Sequence, residues 1–167
     1  MKHFSIVLSL LLSLGIVAQE QKHEIAEGLI EHHDLFNTSM VEGVSCYRIP
    51  ALITAPNGDI IAAIDERVES CADLNPNNDI NIVIRRSADN GKTWSDIETV
   101  IDFPFGQSAS DPSMILDQVT NEIFMFYNYM DLKKEKGVYY LHVIKSADNG
   151  KTWSDPVDIT SQITKPE

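Results

Sequence analysis

Arginine is the residue to follow first in this chain, because only four are present, Arg48, Arg67, Arg85 and Arg86. Thirteen Lys and Arg against twenty-five Asp and Glu leave a net charge of −12. A polyanion would be repelled at long range, so nucleic acid is not expected as a partner. A small anion needs only a local cluster of arginines, whose fixed fork of donors and permanent charge suit a carboxylate. One of the four, Arg67, closes Asp65-Glu66-Arg67 with Asp73 six residues on, and a further loop carboxylate, Asp111, stands in Ser110-Asp111-Pro112-Ser113. An Asp before Pro is also an ordinary turn former, and a loop Asp can simply cap a turn. No His pair, His/Cys cluster, phosphate-binding glycine loop or Ser-His-Asp order stands out, and Asp-Asn-Gly lacks the further spaced acidic ligands of a calcium loop. Neither metal nor cofactor is expected.

The elements that must carry these residues are strands. Ser87-Ala88-Asp89-Asn90-Gly91-Lys92-Thr93-Trp94-Ser95-Asp96 recurs letter for letter as Ser146-Ala147-Asp148-Asn149-Gly150-Lys151-Thr152-Trp153-Ser154-Asp155, fifty-nine residues later. Each copy follows a β-rich run, and each has hairpin chemistry. Asn-Gly supplies positive φ, the short Asp carboxylate accepts N–H groups across the loop, and Thr-Trp is expected to open the next strand with the indole stapling its own hairpin. Strands are expected over Tyr47–Thr54, Ile60–Asp65, Ile80–Arg86 and Thr93–Ile101, then over Met114–Leu116, Ile123–Tyr129, Val138–Lys145 and Val157–Ile159. Four strands per repeat of this length is the spacing of propeller blades. The fold class is therefore all-β, the first two or so four-stranded blades of a β-propeller. Two blades cannot close a ring, so the sequence is expected to belong to something longer.

The first eighteen residues are expected to be a secretory signal: Lys2 and His3 lead into an apolar run from Phe4 to Val17, too short to span a bilayer, before Ala18 and the polar Gln19-Glu20-Gln21-Lys22. Residues 19–45 form a lead-in in which 24–36 read equally as a short helix or an edge strand, and the partial propeller occupies 46–167. Export to the periplasm, cell surface or medium permits disulfides, and Cys46 and Cys71 are the two cysteines available. No membrane span is expected in the mature chain.

With these motifs in place the sequence resembles the bacterial-type exo-α-sialidase (neuraminidase) family. Ser-x-Asp-x-Gly-x-Thr-Trp is that family's Asp box, matched at Ser87, Asp89, Gly91, Thr93 and Trp94 and again at Ser146, Asp148, Gly150, Thr152 and Trp153. Tyr47-Arg48-Ile49-Pro50 matches the Arg-Ile-Pro segment that precedes the first box. The resemblance implies a six-bladed propeller acting on terminal sialic acid of glycoproteins, glycolipids or oligosaccharides, with the Asp boxes structural. It makes Arg48 the first of three arginines that clamp the substrate carboxylate. Arg67 and Asp111 become pocket residues near the sugar's 4-hydroxyl, and Asp73 the general acid/base, with Asp79 as the competing carboxyl. Tyr127 or Tyr129 would replace an aromatic that receives the N-acetyl methyl. The Cys46–Cys71 pairing also follows from the resemblance, which brings Arg48 and Asp73 to one pocket. A carboxylate nucleophile would be repelled by the substrate's own carboxylate, so the family attacks with a tyrosine activated by a glutamate. In the family that pair and the other two clamp arginines lie in later blades, and no arginine follows residue 86 here; these residues alone are not expected to turn over substrate. A trans-sialidase and a non-catalytic Asp-box propeller that binds glycans or proteins remain open.

Overall fold

The computed structural model describes residues 33–165, so the signal expected at 1–18 and most of the ambiguous 24–36 segment lie outside the described residues. Two four-stranded antiparallel sheets follow one another in the chain, each a simple meander. The first holds β1 (Cys46–Thr54), β2 (Ile60–Arg67), β3 (Ile80–Ser87) and β4 (Glu98–Ile101). The second holds β5 (Gln107–Asp117), β6 (Glu122–Asp131), β7 (Tyr140–Ser146) and β8 (Val157–Asp158), followed by one turn of helix, α1 (Thr160–Ile163). Each sheet is one blade.

The apolar core lies between the blades. Ile60-Ile61-Ala62-Ala63-Ile64 and Ile82-Val83-Ile84 run almost without a polar break because both strands are covered on both faces. From the first blade Ile61, Ala63, Ile82, Ile84 and Ile101 meet Ala109, Ile123, Met125, Tyr127 and Ile144 of the second, all 5% exposed or less. Each fully buried Ile in that layer contributes roughly 1.5–3 kcal/mol by leaving water. The residues before β1 also pack on the first blade: Arg85 donates to the Leu35 carbonyl at 2.7 Å, and Phe36 lies 5.5 Å from the Tyr47 ring.

Two of the expected elements differ from those observed. Strand β4 begins at Glu98, not at Thr93. Thr93 is held inside its turn instead, giving both its N–H (2.8 Å) and its hydroxyl (2.7 Å) to Asp89, while Trp94 Nε1 donates to the Gly91 carbonyl at 3.1 Å. Strand β5 is much longer than Met114–Leu116, because Asp111-Pro112 makes a bulge within a strand where a turn was equally legible. Proline is tolerated there because β5 is an edge of its sheet.

The same bulge occurs in β1. The register shifts between Arg48 and Ala51 and again between Ser110 and Ser113. In each, the residue before proline takes a left-handed backbone, φ 58° at Ile49 and φ 63° at Asp111. A non-glycine residue there is strained by about 1–2 kcal/mol, most clearly a β-branched Ile. Arg48-Ile49-Pro50 and Ser110-Asp111-Pro112 are thus equivalent positions of the two blades, and both innermost strands break their ladders where the cleft opens.

Candidate active site

Arg48, Asp73, Ser110 and Asp111 line one open cleft of about 310 Å³ between the blades, together with Ile49, Leu74 and Tyr139. Strand β1 brings Arg48, the β2–β3 loop brings Asp73 and Leu74, the β5 bulge brings Ser110 and Asp111, and the loop before β7 brings Tyr139. Beneath them lies Arg67, whose side chain is 0% exposed.

Arg67 joins the parts of the site. Its Nη1 donates to Asp73 Oδ1 at 2.7 Å and to the carbonyls of Ala72 (2.8 Å) and Cys71 (3.1 Å). Its Nη2 and Nε donate to Asp65 Oδ2 at 2.9 and 3.3 Å. Arg48 Nη1 approaches the same Asp73 oxygen and the Cys71 carbonyl, both at 3.2 Å. The loop carrying Asp73 is therefore gripped by two guanidinium groups. A Cys46–Cys71 disulfide ties it to the start of β1, with Cα atoms 5.6 Å apart.

Charge follows this geometry. The hydrogen bond and charge of Arg67 hold the Asp73 carboxyl below its usual range, with Arg48 adding to the effect. That side chain is 74% exposed, so water screens the pairs. A general acid needs the opposite bias at the moment a leaving group departs. Burial raises Asp65, and bonds from Ser110, Arg67 and the Asp111 N–H pull against that rise. Two flanking carboxylates raise Arg67 despite the cost of burying its charge.

The aromatic candidates lie elsewhere. Tyr127 is 1% exposed within the inter-blade core, and burial pushes its hydroxyl pKa upward. Tyr129 sits between Phe103 (4.8 Å) and His142 (4.6 Å) and donates its hydroxyl to Gln107 at 2.9 Å. Neither lines the cleft, whereas Tyr139, at 52% exposed, does. Asp79 is also outside it; burial and the charges of Asp102 and Glu69 raise its carboxyl. The Asp-box residues are occupied in their turns, where Ser87 and Ser146 each donate to the Asp two residues on at 2.8 Å. Among the described residues no group of three His, Cys, Asp or Glu side chains is placed to hold a metal ion.

Sequence reasoning missed Asp65, Ser110, Asn128 and Tyr139. Asp65 had a usable signal: residues two apart on a strand share a face, so it must sit beside Arg67. Asn128, whose Nδ2 donates to Asp111 Oδ2 at 2.8 Å, and Tyr139 on a loop had none.

Comparison with known proteins identifies the family. The BNR repeat-like domain family matches residues 49–167, and the chain belongs to that family. A sialidase of Micromonospora viridifaciens is 36% identical over an alignment of 140 residues that covers 74% of this chain and 21% of the relative. A sialidase of Bacteroides fragilis is 30% identical over an alignment of 142 residues that covers 73% of this chain and 26% of the relative. Among solved structures, a Hadza microbial sialidase superposes with a TM-score of 0.64 at 28% identity, covering 72% of this chain and 27% of that one. The chain thus spans about a quarter of the length of the curated relatives it matches.

Proposed function

We propose that the whole protein of which these blades form part is an exported exo-α-sialidase, releasing terminal α-linked sialic acid from glycoproteins, glycolipids or oligosaccharides with retention of configuration. The observation that carries this reading is the convergence of Arg48, Asp73 and Asp111 on one cleft, with Arg67 directly beneath. A binding propeller gains nothing from an exposed carboxyl held between two arginines. In an acidic protein, Arg48 gives a sugar carboxylate a local cationic partner.

Arg48 is the clamp. It now leans on Asp73 at 3.2 Å, and a substrate carboxylate competes for the same donors. Its departure from Asp73 and the exclusion of water by the sugar both raise the Asp73 carboxyl, which turns a carboxylate held ionised into an acid able to protonate the leaving oxygen. Asp111, braced by Asn128, takes the sugar's hydroxyl side. The tyrosine nucleophile, its glutamate and two more clamp arginines are supplied outside residues 33–165, and hydrolysis proceeds through a tyrosyl-linked intermediate.

The test compares leaving groups. On sialyllactose the departing alkoxide is strongly basic, and Asp73→Ala in the full-length protein is expected to cost on the order of 10²–10⁴ in rate. An aryl sialoside departs as a stabilised phenolate and should lose far less. Equal losses, or the asymmetry appearing in Asp79→Ala instead, would exclude Asp73. Product analysis of the wild-type reaction separates free sialic acid from a transfer product.

A further inference from the structure

Both oxygens of Asp65 are engaged. Oδ1 accepts the Asp111 N–H at 2.8 Å, and Oδ2 accepts the Ser110 hydroxyl at 2.7 Å and Arg67 Nη2 at 2.9 Å. Asp65 itself is 0% exposed and stands opposite Arg48 in the β1–β2 ladder, so no substrate atom reaches it. One buried carboxylate therefore spans the two blades, joining the strained bulge that carries Asp111 to the guanidinium that holds Asp73.

We infer that Asp65 is a positioning residue of the cleft: it fixes the guanidinium that holds Asp73, and its own charge, on the far side of that guanidinium, opposes the ionisation of Asp73. The electrostatic reason is direct. Arg67 carries one positive charge and has a carboxylate on each side, Asp65 at 2.9 Å and Asp73 at 2.7 Å. If Asp65 is neutralised, the attraction of Arg67 for Asp73 remains and the repulsion between the two carboxylates is lost. That change stabilises ionised Asp73. The other charged or titratable groups around Asp73 are Arg48 from β1, Asp111 from the β5 bulge and Tyr139 from the β6–β7 loop, and of these only Asp111 is hydrogen-bonded to the Asp65 side chain, through its backbone N–H. A like charge raises a carboxyl, and removing one that lies across a guanidinium is worth about one pH unit at a dielectric between those of protein and water. Asp65→Asn is therefore expected to lower the Asp73 midpoint by about one unit. It also costs the Asp111 bulge an anchor, because an amide in place of the carboxylate turns an N–H donor toward Arg67, Ser110 or the Asp111 amide.

The inference rests on the sialidase reading for its consequence but not for its test. Carboxyl ¹³C NMR titrations of the full-length protein follow Asp73 in wild type and Asp65→Asn, and Asp65 in wild type and Asp73→Asn. Coupling free energies are reciprocal, so each midpoint is expected to fall by the same amount, about one unit. Asp73 is largely exposed, so Asp73→Asn folds and decides the matter even where Asp65→Asn does not. In the active enzyme the alkaline limb of kcat/KM on sialyllactose moves to lower pH by the same interval in Asp65→Asn. Unmoved midpoints together with a lower Tm overturn the inference and make Asp65 a structural residue. A wild-type protein that releases no sialic acid overturns the sialidase reading instead, and the two titrations still test the coupling.

Discussion

Asp89 and Asp148 perform one local task twice, and the task is electrostatic. Asp89 takes the Thr93 hydroxyl on Oδ2 and the Thr93 N–H and Ser87 hydroxyl on Oδ1, and these bonds, the Thr93 hydroxyl first, pull its carboxyl down to about 2. Asp148 is lowered in the same way by Thr152 and Ser146. A carboxyl depressed on folding binds its proton more weakly in the native than in the unfolded chain. The stability it supplies is complete above the unfolded midpoint near pH 4 and is lost as the pH falls toward about 2. The denaturation midpoint of the wild type should fall across that window, and Asp89→Asn should be less stable at neutral pH with a shallower fall. Identical slopes for the two proteins would remove Asp89 as a contributor. These two residues were legible as turn formers from their spacing alone. The role of Asp65 was not, because its partners Ser110 and Asp111 lie forty-five and forty-six residues away and meet it only when the blades stack.

At the scale of the element, identical sequences sit in unequal surroundings. Both Asn-Gly pairs have positive φ, 60° and 83° at Asn90 and Gly91 and 64° and 75° at Asn149 and Gly150, as the hairpin chemistry required. A Cβ on Gly91 would meet nothing nearer than Trp94 at 3.8 Å, whereas one on Gly150 would fall 2.4 Å from Ile61 Cδ1 on the other blade. Alanine at either position incurs the left-handed strain of about 1–2 kcal/mol. Only Gly150→Ala adds overpacking, typically 1–3 kcal/mol and less where the Ile61 tip can swing aside. Thermal or urea unfolding should place Gly150→Ala clearly below Gly91→Ala; matched losses would mean that Ile61 moves at no cost. Local pattern reveals the strands and turns because alternation and Asn-Gly act within a few residues. It misplaces the start of β4 because Thr93 and Trp94 have β propensity, yet their hydrogen bonds are committed inside the turn. The bulges escape it for another reason: X-Pro marks a turn and an edge-strand break equally well.

At the scale of the whole molecule, the second Asp box adds a polar fastening between the blades beside their apolar core. Arg86, the last residue before the first box, reaches across to donate Nη1 to the Gly150 carbonyl at 2.6 Å and keeps Nη2 on Glu98 at 3.1 Å. Beside it the Asn57 N–H donates to Asn149 Oδ1 at 3.3 Å, and the turn seats against Ile61. Lys145 holds the matching place before the second box but pairs with Glu122 on its own blade at 2.8 Å, half exposed. The two cations occupy the same position in the repeat and should differ in worth. Arg86 makes a charge-assisted bond to a carbonyl that a neighbouring element presents, a class worth about 1.5–3 kcal/mol, while an exposed Lys–Glu pair contributes about 0–1. Arg86→Ala should therefore lower the unfolding midpoint well beyond Lys145→Ala and speed hydrogen exchange at amides of the second box. Arg86→Lys should recover part of the loss, since a single ammonium can reach the carbonyl or Glu98 but not hold both. Equal costs for the two alanine variants would show that apolar stacking of Ile61, Ile123 and their neighbours joins the blades unaided, and that Arg86 only decorates the seam.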